Sequence, residues 1–344
     1  MLVREWVVGA VGAALAVTTL LRGRLPSYDL TDFEVLYIIL VLLVVVKGLE
    51  RADVFSNVAA FLRSGRLLSF QLVVATALLS MAVTNDVALF VAVPVTTALE
   101  TDGGDLLVIL ETLAANAGSA LSPIGNPQNL FIYWFYRLHA LEFVRAIAPF
   151  TAVCLGAILL TSLAIPAPPA SRIPTRTSRL TPSGGAYLAF LALFALAILK
   201  IVPLWVGAAP LLYAALFDRG TLRVDYALLL IFACIFGLTD NVLALAPTTV
   251  GGGRRTFWYA AFGSQVLSNV PAAVFMADFT PSWKPLLWGV SVGGFGSLIA
   301  SLANLIAYRL YRDHTRSPRA FLLKLHAAGY LAFAVGCVAY LVLQ

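Results

Sequence analysis

The sequence predicts an all-α integral membrane protein with about nine spanning helices, two re-entrant helical hairpins, and inverted-topology repeats whose helices are broken. Three observations predict it. The chain is 60% hydrophobic and only 12% charged, about half the charged fraction of a soluble domain. Charge-free runs such as 6–21, 112–136, 146–171 and 285–308 recur along it, and about 20 apolar residues suffice to cross a bilayer. Finally, two distant apolar stretches share a pattern of Gly, Ser, Asn and Tyr that low complexity does not explain.

In chain order, spans are expected at 5–21, 33–48, 104–136, 143–165, 185–200, 202–217, 224–239, 283–310 and 319–343, with hairpins at 66–100 and 256–280. The first run has no convincing small-x-small cleavage site before Arg22 and reads as an uncleaved span. Segment 50–65 is amphipathic, with Val54, Val58, Phe61 and Leu62 on one face, and is expected to lie in the interface. Segment 166–184, rich in Pro and Arg, is the linker. It divides the chain into a first repeat over 1–165, a linker and connecting helix over 166–200, and a second repeat over 201–344.

The net charge of +6 reflects Lys and Arg in loops and does not call for nucleic acid. With the N-terminus inside, 15 of the 23 Lys and Arg residues fall on the cytoplasmic side, as the positive-inside rule prefers. Cys154, Cys234 and Cys337 sit in apolar runs without ligand spacing, and no nucleophile–base or metal constellation marks an enzyme.

Residues 117–133 align without a gap on 292–308 at an offset of 175, with identities at Gly118/Gly293, Ser122/Ser297, Ile124/Ile299, Asn129/Asn304, Leu130/Leu305 and Tyr133/Tyr308. Upstream of each lies an Asn in a similar setting, at Thr84-Asn85-Asp86 and at Ser268-Asn269-Val270-Pro271. The parity of spans makes the repeat inverted, an architecture that binds substrate and coupling ions near the midplane at interrupted helices.

Stretch 67–99 is too long for one crossing, at about 50 Å of helix against a core of about 30 Å. As two crossings each arm is too short. A hairpin turning at Thr84-Asn85-Asp86 fits, since irregular backbone at depth is tolerated where it lines a cavity. The stretch Asn116 to Asn129 packs Gly118, Pro123, Gly125, Pro127 and three asparagines (Asn116, Asn126, Asn129) into 14 residues, so the helix should break around Gly118–Pro127. Freed carbonyls there suit a cation, and helix N-termini suit an anion. Candidate ligands in the first half are Thr84, Asn85, Asp86, Asn116, Gly118, Ser119, Ser122, Pro123, Gly125, Asn126 and Asn129. In the second they are Ser268, Asn269, Pro271, Gly293, Gly294, Ser297 and Asn304. Na⁺ is expected at Asn85, Ser119 and Asn126, and at Asn269 and Ser297. Asp86 is an acid at depth, a coupling residue or a helix cap. Glu111, nearer the cytoplasmic end, reads as a structural or snorkelling residue, with a coupling role as the alternative.

These residues resemble the ion transporter superfamily, which includes arsenical pump membrane proteins, citrate-type permeases, divalent-anion/sodium symporters and NhaD sodium/proton antiporters. Run 115–130 looks like its first broken-helix signature, Thr84-Asn85-Asp86 is similar to the hairpin tip of the arsenical-pump branch, and 268–271 is similar to the second tip. The resemblance implies scaffold and transport domains, a homodimer and elevator-like movement in the cell membrane. The tips lack the Ser-Asn-Thr of the dicarboxylate symporters, so dicarboxylate specificity does not carry over. The expectation is an ion-coupled secondary transporter of a small anion or oxyanion. Na⁺ or H⁺ is the coupling ion, with no other cofactor. Sodium/proton antiport and arsenite efflux are the alternatives.

Overall fold

A computed structural model describes residues 2–55, 67–99, 103–165, 180–245 and 251–344, with side chains from residue 8. The interfacial reading of 50–65 and the linker therefore fall largely outside the described residues. The described residues form fifteen α-helices and no strand.

Helices α1 (Leu2–Arg22) and α2 (Leu30–Arg51) come first. Asp29 starts α2 with a capping box to Asp32, which satisfies free N–H groups of its first turn. The first expected hairpin is α3 (Leu68–Ala82) and α4 (Asn85–Ala98), separated by Val83-Thr84. The first broken span is α5 (Gly104–Ser119) and α6 (Pro127–Phe135). Next come α7 (Ala140–Ser162), α8 (Pro182–Ile198), α9 (Ala208–Phe217) and α10 (Tyr226–Leu245). The second hairpin is α11 (Arg254–Leu267) and α12 (Asn269–Ala277), and the second broken span is α13 (Trp283–Gly293) and α14 (Leu302–Tyr311). Helix α15 (Pro318–Leu343) closes the chain.

Among the described residues, three stretches are long and apolar enough to cross a membrane by length and composition: Ala140–Ser162, Arg219–Leu245 and Pro318–Leu343. Of the shorter apolar helices, Leu68–Ala82 and Asn85–Ala98 are the two sides of one backbone break. Where a span was expected at 202–217, a 3₁₀ turn at Leu204–Gly207 leads into α9, whose ten residues reach only about 15 Å.

The helices pack in two groups that each draw on both halves of the chain. Helices α1, α2, α8, α9 and α10 form one, with α1 on α10 and α2 against α8, α9 and α10. Arg22 at the end of α1 pairs with Asp240 and donates to Asn241 at 3.0 Å. The two hairpins, the two broken spans, α7 and α15 form the other. The groups meet along a seam of α2 on α6 and α10 on α12. Phe131 of α6 lies 6.2 Å and 5.9 Å, ring to ring, from Phe232 and Phe236 of α10. Trp134 of α6 donates to Glu34 of α2 at 2.8 Å, and Lys200 donates to the Leu138 carbonyl at 3.3 Å.

The second hairpin's mouth lies near Tyr136, whose hydroxyl donates to the Thr280 carbonyl at 2.7 Å. The first lies near Asp105, which pairs with Lys324 of α15 at 2.8 Å. Because α5 and α6 carry the chain from Asp105 to Tyr136, the two mouths face opposite ends of the helical body.

Candidate functional site

Each hairpin tip docks on its own break through a backbone bond. The Asn85 N–H donates to the Gly125 carbonyl at 3.0 Å, and the Asn269 N–H donates to the Ala300 carbonyl at 2.9 Å. Gly125 and Ala300 are counterparts at the repeat offset of 175. A side chain at Gly125 would strike the Ser119 carbonyl, so this docking turn requires glycine. Thr84 caps α4 by accepting from the Val87 N–H at 3.3 Å. Asn126 and Ser301 cap α6 and α14 in the same way, accepting from Asn129 N and Ala303 N.

The repeated asparagines Asn129 and Asn304 fasten the breaks. Asn129 Nδ2 donates to the carbonyls of Ser119, Ala120 and Ser122 at 3.1, 2.9 and 3.0 Å. Asn304 Nδ2 donates to Gly294 and Ser297 at 3.1 and 2.9 Å. Ser119 and Gly294, like Ser122 and Ser297, are counterparts at the same offset. Carbonyls freed by the break must be satisfied somewhere, and these two amides do it. Gly118 and Gly293 allow the helices to approach. A Cβ at Gly118 would lie 2.8 Å from the Ala77 carbonyl, and one at Gly293 would lie 2.5 Å from Ser264.

The hub is Asn116, 5% exposed. Its Oδ1 accepts from Asn85 Nδ2 at 3.1 Å and from Ser301 Oγ at 3.0 Å. Its Nδ2 donates to Asn304 Oδ1 at 2.9 Å and toward the Gly294 carbonyl at 3.5 Å. One amide thus joins the first tip to the second break. Its counterpart is Ser291, too short for that role: Ser291 Oγ and Asn129 Oδ1 are both buried without a hydrogen-bond partner.

The expected Na⁺ sets are brought together in part. Ser119 and Asn126 touch, Asn126 Nδ2 donating to Ser119 Oγ at 3.1 Å, while Asn85 joins them through Asn116 and Gly125. The donors are amide and hydroxyl oxygens of the kind Na⁺ takes, but a cation here must displace the Asn126–Ser119 bond. Ser297 turns instead to Gln265, its N–H donating to Oε1 at 3.0 Å and its Oγ reaching the Gln265 carbonyl at 3.4 Å. Asn269 lies against Gly294. Pro123 is buried inside the first break and lines neither cavity at the tips.

Sequence reasoning missed Gln265, Ser291 and Ser301. Gln265 Nε2 donates to the Gly293 and Phe295 carbonyls at 2.7 and 3.0 Å, holding the second break from the hairpin. Extending the repeat one residue upstream pairs Asn116 with Ser291, and within it Asn126 pairs with Ser301. Glu111 does not snorkel: it is fully buried, covered by its neighbours on α5 and α4.

A cavity of about 80 Å³ lies between the tips, lined by Asn85, Pro127, Asn269 and Leu302 and bordered by Asp86 and Ser268. Those first four are the opening residues of α4, α6, α12 and α14. A larger cavity of about 570 Å³ shares Asp86 and Pro127 with it, and Lys47, Arg223 and Arg309 also line it. Arg309 is near the end of α14, which places the larger cavity toward the Asp105 end.

A helical body with apolar crossing stretches, built around paired broken helices and a central cavity, defines a multi-pass membrane transporter. The chain matches the citrate transporter family over residues 1–293. It belongs to that family, and with it to the ion transporter superfamily. It is 30% identical over 327 residues to an uncharacterized transporter of Methanocaldococcus jannaschii, covering 91% of each chain. It is 36% identical over 301 residues to the inner membrane protein YbiR of Escherichia coli, covering 79% of this chain and 78% of that one. The silicon efflux transporter LSI3 of Oryza sativa is 29% identical over 161 residues, 44% of this chain and 33% of its own. The family and two of these relatives are described as transporters, not enzymes, and the chain is a multi-pass protein of the plasma membrane.

Proposed function

We propose that this chain is an ion-coupled secondary transporter of a small anion or oxyanion, coupled to Na⁺ or H⁺ and working by an elevator-type movement. The observation that carries the reading is the convergence of four helix N-termini on one cavity of about 80 Å³ with no Lys or Arg in its lining. Helix N-termini present a partial positive charge to an anion, and here that charge acts while the Asn85 and Asn269 N–H groups are held by the Gly125 and Ala300 carbonyls. At roughly 10–15 Å³ per water-sized centre the space holds on the order of five to eight such groups, the size of a small oxyanion. In this reading the hairpins are re-entrant, the two halves are inverted repeats and the N-terminus is cytoplasmic. The hairpin group is the moving body, and the α1–α2–α8–α9–α10 group is the scaffold through which a homodimer forms.

Flux into proteoliposomes, with a panel of citrate, phosphate, arsenite and silicic acid under imposed Na⁺ or pH gradients, tests it. One of the solutes is expected to accumulate in a gradient-dependent way, and Asn85→Ala and Asn269→Ala are expected to abolish this with normal insertion. Near-normal flux in both variants counts against a tip-centred site. The second reading, sodium/proton antiport, draws on Asp86 lining both cavities. Solute-independent Na⁺/H⁺ exchange that disappears in Asp86→Asn would replace the anion reading. Single-cysteine labelling at residues 66, 100, 255 and 284 tests the inversion: the first two are expected on one side of the membrane and the last two on the other. All four on one side would end it.

A further inference from the structure

The transport site leaves one buried ionisable group unused. Glu111 is fully buried in α5. Thr96 Oγ1 of α4 donates to its Oε1 at 2.6 Å, while Oε2 has no hydrogen-bond partner. Among the described residues no cation pairs with it. Helix α3 carries no titratable side chain. Asp86 lies at the far end of α4 from Thr96, and Cys154 is the buried ionisable group of α7. On α14 Arg309 is exposed. On α15 Lys324 is held by Asp105, and His326 accepts from the Leu298 N–H. Tyr311 of α14, 7% exposed, faces Asp105 and feels the charge of Glu111. Asp105 has 21% of its side chain exposed, at the end of the molecule where the larger cavity opens.

A carboxylate held without a countercharge in a dry interior costs several kcal/mol, whereas the neutral acid needs only ordinary hydrogen bonds. We propose that Glu111 is a proton-binding site of this transporter, loaded from the Asp105 end of the molecule through Tyr311. In the loading step Tyr311 gives its hydroxyl proton to a Glu111 carboxylate oxygen and takes the proton that Asp105 has received from water. At Tyr311 one O–H bond breaks as another forms, Asp105 gains and then loses a proton, and Glu111 gains one, so the net change is one proton taken from hydronium at the Asp105 end. Asp105 and Glu111 are six residues apart on α5, about 9 Å along the axis, a gap that Tyr311 divides.

The placement ties the proton to the transport machinery. Thr96 belongs to the hairpin arm whose first residue is the tip Asn85, and the hub Asn116 is about 7.5 Å further along the same helix as Glu111. Proton loss leaves a bare charge between α4 and α5 that only water or a cation relieves, and either one enters by parting the two helices. This inference rests on the ion-coupled reading above and narrows its coupling ion to H⁺.

Infrared spectroscopy of the full-length protein in lipid tests it without any substrate, so failure to find a transported solute leaves the result intact. At neutral pH the wild type is expected to show a carbonyl-stretch band of a protonated buried carboxylic acid. The band should be absent in Glu111→Gln and displaced in Glu111→Asp, the second variant serving if the first does not fold. Transfer to D₂O should shift the wild-type band, and in Tyr311→Phe that shift should be slower by at least about tenfold, a barrier rise of about 1.4 kcal/mol. No band difference between wild type and the Glu111 variants overturns the proton site. Equal exchange rates in wild type and Tyr311→Phe overturn the route.

Discussion

At the first break, Asn126 donates to Ser119, two residues of the break itself, and Asn129 gathers three carbonyls around them. At the second, Gln265 reaches in from the hairpin to the Gly293 and Phe295 carbonyls and accepts from Ser297. Leu298 donates to His326 of α15, and Gly329 of α15 comes so close to Gly296 that a Cβ would lie 2.5 Å from its carbonyl. The position in the first hairpin that corresponds to Gln265 holds Met81, which cannot tie a carbonyl. Both breaks are fastened by their own asparagine and by a hairpin tip, and the second is held in addition by Gln265 of its hairpin arm and by α15. The tips differ too: Thr84 sits in relaxed extended backbone at φ −157°, while Ser268 holds φ +74° with ψ 153°. The first hairpin is thus tied through its tip to Asn116 and through Thr96 to Glu111, the second through Gln265 to its break, and it is the first whose Thr84, Val87 and Phe90 border the larger cavity.

The largest test of this comparison is Asn116→Ala against Ser291→Ala. Removing Asn116 strands Asn85 Nδ2, Asn304 Oδ1 and the Ser301 hydroxyl. At about 1–3 kcal/mol for each buried group left unpaired, the loss should be several kcal/mol, read as a fall in melting temperature in detergent together with loss of flux. Ser291→Ala deletes a hydroxyl that has no partner and should move the melting temperature little. Equal losses in the two variants would erase the asymmetry.

Next in size is Gln265→Met, which gives the second hairpin the residue found in the first. It orphans two carbonyls and one N–H and should cost roughly 2–4 kcal/mol. Hydrogen exchange should rise at residues 293–298 and stay unchanged at 118–125. A uniform rise would show that the two breaks share one fastening.

Ser268→Gly should stabilise the protein by about 1 kcal/mol, because glycine adopts this backbone without strain. Thr84→Gly should destabilise it by a few tenths of a kcal/mol to about 1 through the lost cap and the added chain entropy. Chemical denaturation of the pair reads the opposite signs, and like signs would refute the difference between the tips.

The smallest effect belongs to Ser291→Asn, which restores to the second unit the amide found in the first. A bond to Asn129 Oδ1 should add about 1 kcal/mol, and Asn129→Ala in that background should cancel the gain. A destabilising Ser291→Asn would mean the two crossings are not equivalent.

Much of this organisation was legible because it is written in local chemistry. Gly118, Pro123, Gly125 and Pro127 cannot continue a helix, and the break indeed spans 120–126. Asn85 opens a helix, as the length of 67–99 required, and Asn269 opens another, as the repeat required. The assignment of Asn129 and Asn304 to ligands overlooked the carbonyls that a break sets free, which their amides are needed to satisfy. Gln265 was hidden because its partners lie 28 and 30 residues away, beyond any periodic pattern. Of the readings of Glu111 only snorkelling fails, which its distance from the helix start had allowed. The Thr96 contact that buries it comes from packing, which spacing along one helix does not encode.

The seam between the two helix groups has its own mechanical character. Its rings, Phe131 against Phe232 and Phe236, hold by dispersion and burial, which depend weakly on register. Among the described residues, the directional bonds Trp134 to Glu34 and Lys200 to Leu138 lie at the Tyr136 end. Such a surface is greased along its length and pinned at one margin. In the elevator movement proposed above, sliding would start by releasing these bonds and proceed by exchanging one ring contact for the next, so that the polar groups would set the resting position and the phenylalanines the smoothness of the path.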